Sequence, residues 1–275
     1  MAALSIGDDE YQAFARFLEH ACGIVLGDSK QYLVASRLAP LLEAEGIPDL
    51  KSLVERLERR PTADLKGRVI EAMTTNETQW FRDSFPFDVL RRHLLPELER
   101  QRVWPARIWS AACSSGQEVY SISMTVDEYN DRGGRMEAEV LGTDISAAMI
   151  EQAKRARYTA NVARRGLSAE RQKRFFDEVG ENTWEVKQSV RRRTSFRTHN
   201  LLESYAGLGR FDIVFCRNVL IYFGYDSRRD IVDRIASVTK PGGYLIVGAS
   251  ESLARHSDKF ELVRLDGGVI YRRRD

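Results

Sequence analysis

The stretch "RIWSAACSSGQEVYSISMTVDEYN", residues 107–130, decides the class of fold. "RIWSAA" is a short apolar run of strand length, and "QEVYSISMTVDEYN" is predicted to be a helix. The loop between them consists of small residues with one glycine, Gly116, so a ligand can approach its backbone closely. A strand, a small-residue loop and a helix in this order are typical of a binding site in an α/β sheet.

The same alternation continues toward the carboxyl terminus. The predicted elements are strands at 138–145, 211–218 and 243–250 and helices at 146–156 and 226–239. This alternation predicts a mostly parallel sheet with helices on both faces. Two last strands, "FELVRL" and "GVIYRR", are joined by Asp266, Gly267 and Gly268, and they predict an antiparallel hairpin at one edge.

Residues 1–75 have a different pattern, with helical spacing of apolar residues and no strand. Four helices are predicted there, and Asp49 is a suitable cap for the third of them. We therefore expect a helical domain over 1–75, a connector over 76–103 that contains one amphipathic helix, and an α/β domain over 104–275.

The alternation is interrupted at about 157–198. The segment "TWEVKQSVRRRTSFRTHN" predicts a small antiparallel β-subdomain that leads back into the sheet. Basic residues are in excess between Lys154 and Arg197, and they include three consecutive arginines at 191–193. Such an excess fits an acidic partner surface, nucleic acid or a solvated charged face.

Composition excludes several classes of protein. The 275 residues are 43% hydrophobic and 30% charged, which is typical of a soluble globular chain. No apolar run approaches the ~20 residues that span a bilayer, and the first residues do not resemble an export signal, so we expect no membrane insertion. Cys22, Cys113 and Cys216 lie far apart, which predicts buried thiols in the cytoplasm and no metal site.

Two carboxylates define the expected ligand. Asp144 ends the second predicted strand, where an acidic group can accept hydrogen bonds from ribose hydroxyls. Gln117 and Glu118 stand at the start of the following helix, where a dinucleotide site would hold phosphate. A carboxylate repels phosphate but suits a sulfonium cofactor, so these residues favour S-adenosylmethionine (SAM) over NAD. The alternative is that Glu118 only stabilises the helix terminus.

Five ordered motifs carry a family resemblance over nearly the whole chain. They are "MTTNETQWFRDS" (73–84), "AACSSGQEVYSISM" (111–124), "GTDIS" (142–146), "FDIVFCRNVLIYF" (211–223) and "KPGGYLIVGASESL" (240–253). Together they resemble the CheR family of chemoreceptor glutamate O-methyltransferases. The resemblance implies a Rossmann-like SAM-dependent methyltransferase sheet with a small β-subdomain, preceded by an all-α domain.

The resemblance also implies site residues. The expected cofactor contacts are Asn76, Thr78, Arg82, Glu118, Asp144, Asn200, Leu201, Arg217 and Asn218. Asp144 is expected on the ribose, and Asn200 and Leu201 on the adenine side. Arg82 and Tyr222 are the expected catalytic residues, whereas Trp80 and Phe81 are expected to pack in the core. The chain departs from the family at Gln117, where Glu is common, and at Val119, where Pro is common, and neither change removes an expected contact.

The implied reaction is attack of a glutamate oxygen on the sulfonium methyl, which yields a methyl ester and S-adenosylhomocysteine (SAH). Glutamate has an ordinary pKa of about 4.3, so at neutral pH a general base has no proton to remove. The four histidines are scattered and are read as structural or surface residues, His256 among them. Orientation of the carboxylate by Arg82 and Tyr222 is the expected contribution of the protein.

Two rival functions stay open. The basic segment allows a nucleic-acid methyltransferase, although "RNVLIYF" lacks the Pro-Pro motif of amino-group methylases and the chain contains no Pro-Pro pair. A SAM-binding regulatory module without turnover is the second rival. As partner we expect the cytoplasmic helical bundle of a membrane-bound receptor array, without nucleic acid, without dependence on a receptor tail peptide and with a monomeric enzyme.

Overall fold

The computed structural model describes residues 6–59, 62–253 and 257–275. The first domain consists of four helices, α1 Asp8–Cys22, α2 Gln31–Glu45, α3 Leu50–Arg59 and α4 Ala63–Met73. Their apolar faces meet in one core that contains Phe14, Leu38 and Val69. Asp49 Oδ1 accepts the Ser52 N–H at 2.7 Å, so the predicted cap of α3 is confirmed.

The connector contains the predicted amphipathic helix, with one irregularity. It runs as α5 Phe85–Val89, a wider turn over Leu90–Leu94, and α6 Leu95–Arg100. The wider turn precedes Pro96, which has no N–H for the helical hydrogen-bond ladder. The helix buries Phe87, Leu90 and Leu94 against the sheet domain.

Ten strands and six further α-helices follow among the residues that the structure describes. The strands are β1 Ala106–Ala111, β2 Ala138–Asp144, β3 Arg157–Thr159, β4 Phe176–Gly180, β5 Thr183–Val186, β6 Thr194–Thr198, β7 Phe211–Cys216, β8 Thr239–Val247, β9 Phe260–Leu265 and β10 Gly268–Arg273. The helices are α7 Gln117–Asn130, α8 Ala147–Arg155, α9 Ala160–Arg164, α10 Ala169–Phe175, α11 Gln188–Arg191 and α12 Tyr225–Val238.

The main sheet has seven strands in the order β6-β2-β1-β7-β8-β10-β9. The strands from β6 to β8 pair in parallel, and β10 pairs antiparallel with both β8 and β9. Neighbouring side chains of β1 enter different cores: Ile108 packs in the core that contains Ile122 of α7, and Trp109 in the core that contains Ile235 of α12. The predicted sheet, with helices on both faces and an antiparallel edge hairpin, is confirmed.

A separate three-stranded antiparallel sheet has the order β3-β5-β4. Trp80 from the connector is fully buried beneath it, with its ring 5.0 Å from Tyr158 and 5.1 Å from Phe176, so its predicted packing role is confirmed. The prediction that the subdomain extends to 198 is wrong for β6, which pairs in parallel with β2 in the main sheet. The small sheet therefore ends with β5 at Val186.

Candidate active site

A cleft lies at the carboxyl ends of β1, β2 and β7 and is closed on one side by the helical domain and the connector. Its volume is about 1030 Å³, including its open mouth. All ten site residues expected from the sequence line it: Asn76, Thr78, Arg82, Glu118, Asp144, Asn200, Leu201, Arg217, Asn218 and Tyr222. They come from segments far apart in the chain, which meet because parallel strands end at the same edge of the sheet.

Asp144 is buried at the end of β2, with 6% of its surface exposed. Its Oδ2 accepts the Ser114 N–H at 2.8 Å, and its Oδ1 accepts the Ser146 N–H at 2.9 Å. Burial raises the pKa of Asp144 above its ordinary value, and the backbone donors partly oppose that shift. Each oxygen accepts one bond from these donors, so each has capacity for a further donor such as a ribose hydroxyl.

The loop from β1 to α7 joins this carboxylate to the connector. Ala112, Ser114 and Gly116 all have left-handed φ values of 60°, 49° and 94°. The tight path brings Ser114 Oγ within 3.0 Å of the Asn76 carbonyl, to which it donates. Asn76 therefore enters the cleft wall through its backbone, while its side-chain amide donates to Thr74 Oγ1 at 3.2 Å.

Glu118 and Arg217 form a buried ion pair at the centre of the cleft. Arg217 Nη1 lies 2.8 Å from Glu118 Oε2, and the side chains are 2% and 13% exposed. Glu118 Oε1 also accepts the Ser110 hydroxyl at 2.8 Å. The second arm of Arg217 donates to the Arg82 carbonyl at 2.8 Å and to Asp83 Oδ2 at 2.7 Å. The Glu118 carboxylate therefore does more than stabilise the start of α7, because it also binds Ser110 on β1 and Arg217 directly after β7.

The connector segment that carries Arg82 has an unusual backbone. Phe81, Asp83 and Ser84 have positive φ values of 48°, 67° and 50°. Such residues persist only where the surroundings determine them, and they concentrate at functional sites. Here the Phe81 N–H donates to Ser121 Oγ at 3.1 Å, and Arg217 holds the Arg82 carbonyl. The Arg82 guanidinium lies in the cleft wall, where Nη1 donates to the Glu77 carbonyl at 3.3 Å.

The helical domain forms one wall of the cleft together with the segment after β6. Asn200 Nδ2 donates to the Ala21 carbonyl at 2.9 Å, and its Oδ1 accepts the Leu202 N–H at 3.0 Å. The predicted contact residue Asn200 therefore also ties α1 to the sheet domain, with one amide N–H left over. Leu201 beside it is buried and lines the cleft.

Tyr222 ends a short helical turn, Leu220–Tyr222, that follows β7. Its carbonyl accepts the Val25 N–H at 2.9 Å, and Ile24 pairs with Phe223 in an isolated antiparallel bridge. Gly23 permits this approach, since a Cβ there would overlap the Phe223 ring. The tyrosine is half-buried in the cleft wall, held between the two domains.

Sequence reasoning did not assign a role to several residues in or next to the cleft. Ser114 and Asp83 bind expected site residues, and Ser146 Oγ donates to Glu71 Oε1 at 2.8 Å across the domain boundary. Glu251 accepts three backbone N–H groups of the loop after β7 and the N–H group of Gly248, which follows β8. Glu251 lies inside the quoted motif at 240–253, but no local pattern indicates which backbone amides it contacts.

The cysteines are buried, as predicted. Burial raises the pKa of the Cys22 thiol to about 11, and it raises the pKa values of Cys113 and Cys216 as well, so these groups are poor nucleophiles. Within residues 6–59, 62–253 and 257–275 no cluster of His, Cys, Asp or Glu could hold a metal ion, and no helix is long and apolar enough to cross a membrane. His256 lies outside the described residues.

The basic segment is largely neutralised from within. Arg191 Nη1 lies 2.6 Å from Glu185, and Arg193 Nη2 lies 2.7 Å from Asp127. Arg171 binds Glu128 at 2.7 Å, and Arg157 binds Glu185 at 2.7 Å. Arg191 and Arg193 thus form ion pairs within the chain, whereas Arg192 forms none with any residue that the structure describes.

Comparison with known proteins follows the same division of the chain. The family model of the CheR methyltransferase all-alpha domain matches residues 9–74, and that of the CheR methyltransferase SAM-binding domain matches residues 76–269. Chemotaxis protein methyltransferase Cher2 of Pseudomonas putida is 50% identical over 98% of this chain and 99% of that protein. The chemotaxis protein methyltransferase of Vibrio anguillarum is 50% identical over 99% of both chains, and that of Salmonella typhimurium is 33% identical over 94% and 89%.

Proposed function

This chain belongs to the CheR methyltransferase family, and from that premise we propose that it transfers the methyl group of SAM to glutamate side chains of chemoreceptors. SAM is its cofactor, since the matched domain is a SAM-binding domain. The product of the proposed reaction is a γ-glutamyl methyl ester, with SAH released. A role in chemotaxis is supported by relatives of that name at 50% identity over nearly their whole length.

One observation carries the proposal: two carboxylates, an arginine and a tyrosine line a single cleft at the carboxyl edge of the sheet. Asp144 offers two acceptors, which suit the two ribose hydroxyls. Glu118 offers negative charge in a part of the site where a phosphate cradle would need donors instead.

The residues present fit SAM. Asp144 would hold the ribose, and Asn200 and Leu201 would flank the adenine. Glu118 and Arg217 would face the charged amino-acid part, with Asn218 beside them and with Asn76, Thr78 and Arg82 closing the cleft from the connector. Arg217 Nε is buried and has no hydrogen-bond partner among the described residues. When bound, SAM supplies an electrophilic methyl group.

The chain's own contribution to catalysis is orientation. A glutamate acceptor is ionised at neutral pH, so no base is required. Arg82 and Tyr222 would hold one carboxylate oxygen and leave the other free to attack. Holding reactants in the reactive geometry can lower a barrier by up to about 7–11 kcal/mol. Binding both oxygens tightly would instead stabilise the ground state.

The partner surface is also part of the proposal. We expect the receptor's cytoplasmic helical bundle to meet the helical domain and the exposed cations of the basic segment. Arg155, Arg164, Arg165 and Arg192 are exposed and form no ion pair with any residue that the structure describes. Their contribution acts on association rate and weakens as ionic strength rises. A cytoplasmic monomer recruited to receptor arrays is the arrangement that fits this role.

The decisive experiment incubates the protein with methyl-labelled SAM and a chemoreceptor cytoplasmic fragment, followed by base treatment. We expect label on the receptor that is released as methanol, since carboxyl methyl esters hydrolyse in base. A parallel incubation with RNA and DNA tests the nucleic-acid alternative, for which label would be stable in base. Binding of SAH without labelling of any acceptor would favour the regulatory module.

A further inference from the structure

The Glu251 carboxylate lies between the loops that follow β7 and β8. Its Oε2 accepts the N–H groups of Asn218 at 2.6 Å and Gly248 at 2.7 Å. Its Oε1 accepts those of Val219 at 3.0 Å and Ile221 at 3.3 Å. Four backbone donors, three from the first loop and one from the second, thus converge on one side chain.

These hydrogen bonds offset the energetic cost of burying the Glu251 carboxylate. Glu251 is 9% exposed, and a buried carboxylate is costly unless hydrogen bonds replace its water. Four charge-assisted bonds supply that replacement. The converse also holds: the N–H groups of residues 218, 219 and 221 would lack these partners without Glu251. Removal of the carboxylate therefore leaves the loop without the acceptor around which it is folded.

The backbone is shaped to this contact. Asn218 has a left-handed φ of 56°, which turns the chain sharply at the end of β7. Gly248 provides the space, because a Cβ there would lie 2.7 Å from both Glu251 Oε2 and Asn218 Nδ2. The close approach of the two loops thus requires glycine at 248 and a carboxylate at 251.

The loop that Glu251 holds carries three expected site residues, Arg217, Asn218 and Tyr222. Arg217 is fixed by Glu118, and the Tyr222 carbonyl is fixed by Val25. The backbone between these two anchors, residues 218–221, is bound by Glu251. We infer that Glu251 is a positioning residue that holds residues 218–221 so that Tyr222 faces the cleft. The link to turnover rests on the proposed function.

The test compares Glu251→Gln with the wild-type protein in two independent measurements. Hydrogen exchange needs no activity, and we expect faster exchange at the amides of 218, 219, 221 and 248, because the new side-chain NH2 group cannot accept a hydrogen bond from their N–H groups. In receptor methylation we expect kcat to fall by about 10²-fold, the scale of a small misplacement of a reacting group. Affinity for SAH should fall less than kcat, because Asn218 lies within 218–221 but the proposed cofactor contacts Asp144 and Leu201 lie on other segments. The exposed Glu261→Gln is the matched control.

A positional role is separated from a purely structural one by a double-mutant cycle. If Glu251 acts through Tyr222, the double variant Glu251→Gln/Tyr222→Phe should be no slower than the slower single variant. Gly248→Ala perturbs the same contact from the other loop and should cause the same loss of turnover. It replaces Glu251→Gln in the test if that variant does not fold. Additive losses in the cycle, or unchanged exchange at 218–221, would overturn the inference. Absence of methylation by the wild-type protein would instead count against the proposed function.

Discussion

Arg217 Nη1 lies 2.8 Å from Glu118 Oε2, and this buried pair links the end of β7 to the first turn of α7. Removing Arg217 would leave the Glu118 carboxylate with the Ser110 hydroxyl but without its ion-pair partner, and such a loss commonly costs about 3–5 kcal/mol, whereas Arg217 without Glu118 would keep its contact with Asp83. A variant at either residue would therefore change the stability of the cleft as well as its ligand contacts. Sharper tests of the site lie at residues whose roles can be separated from this pair.

Asp144→Ala is expected to weaken SAH binding. The change removes the acceptor proposed for the ribose hydroxyls, and loss of a charged hydrogen bond costs about 1.5–3 kcal/mol, or roughly 10- to 150-fold in Kd. Isothermal calorimetry on the folded variant measures this. Asp266→Ala, in the exposed turn between β9 and β10, is the control and should bind normally. Equal affinity for the two variants would refute the assignment of Asp144.

SAH binding should weaken in mild acid at a higher pH than an ordinary aspartate would cause. Burial raises the pKa of Asp144 above 3.8, so its carboxylate gains a proton, and loses acceptor capacity, as pH falls through that raised value. For folding of the free protein the sign is opposite. The unfolded chain ionises first, so the contribution of Asp144 to stability declines as pH rises between the two pKa values. Isothermal calorimetry across pH should show this weakening of SAH binding in the wild type but not in Asp144→Asn.

Arg82→Ala and Tyr222→Phe should impair turnover more than cofactor binding. Their proposed role is to orient the glutamate carboxylate, and the loss of one preorganised donor commonly costs about 10²–10³ in kcat. Steady-state methylation, SAH calorimetry and thermal melting together separate catalysis, binding and stability. Arg229→Ala and Tyr32→Phe change exposed residues of the same types and serve as controls. Full turnover by Tyr222→Phe would remove the hydroxyl from the mechanism.

Gly23→Ala should lower the melting temperature. Gly23 has φ of 80°, and an added methyl group would meet the Phe223 ring at the domain boundary. Residues forced into this backbone region cost about 1–3 kcal/mol each, before any displacement of Phe223. Gly27→Ala is a close control, because no atom lies within 4 Å of the added methyl group. If Gly23→Ala melts at the same temperature as Gly27→Ala, the domain boundary accommodates the added methyl group without loss of stability and the prediction is wrong.

Methylation should not depend on a receptor tail peptide. The turn between β4 and β5 contains only Glu181 and Asn182, and the free edge of β4 exposes Asp177 and Glu178. A peptide could add to that edge as a strand, but the short turn offers little further contact surface. We expect equal rates with receptor fragments that have or lack the tail. Micromolar binding of a tail pentapeptide, abolished by changes in 177–190, would contradict this.

Much of the fold could be predicted because its signals are local. Apolar spacing indicates the helices of the first domain, and strand–helix alternation indicates a parallel sheet. The position of Asp144 at a strand end then places an acceptor at the ligand edge without knowledge of any contact. Even the cap at Asp49 is local, because its carboxylate accepts the N–H of Ser52, three positions later.

Other features were determined only by the tertiary structure, because they are contacts between residues that are distant in the chain. β6 is predicted from the sequence as part of a local antiparallel unit, yet it pairs in parallel with β2, about 50 residues earlier, and a partner so distant in the chain leaves no local sequence signal. The sequence does not show whether Arg191 and Arg193 have partners, but in the fold they form ion pairs with Glu185 and Asp127, respectively. The contacts of Glu251 could not be predicted either, because its four hydrogen-bond donors are backbone N–H groups, which every residue except proline has. Only the folded chain determines which of those groups converge on one carboxylate.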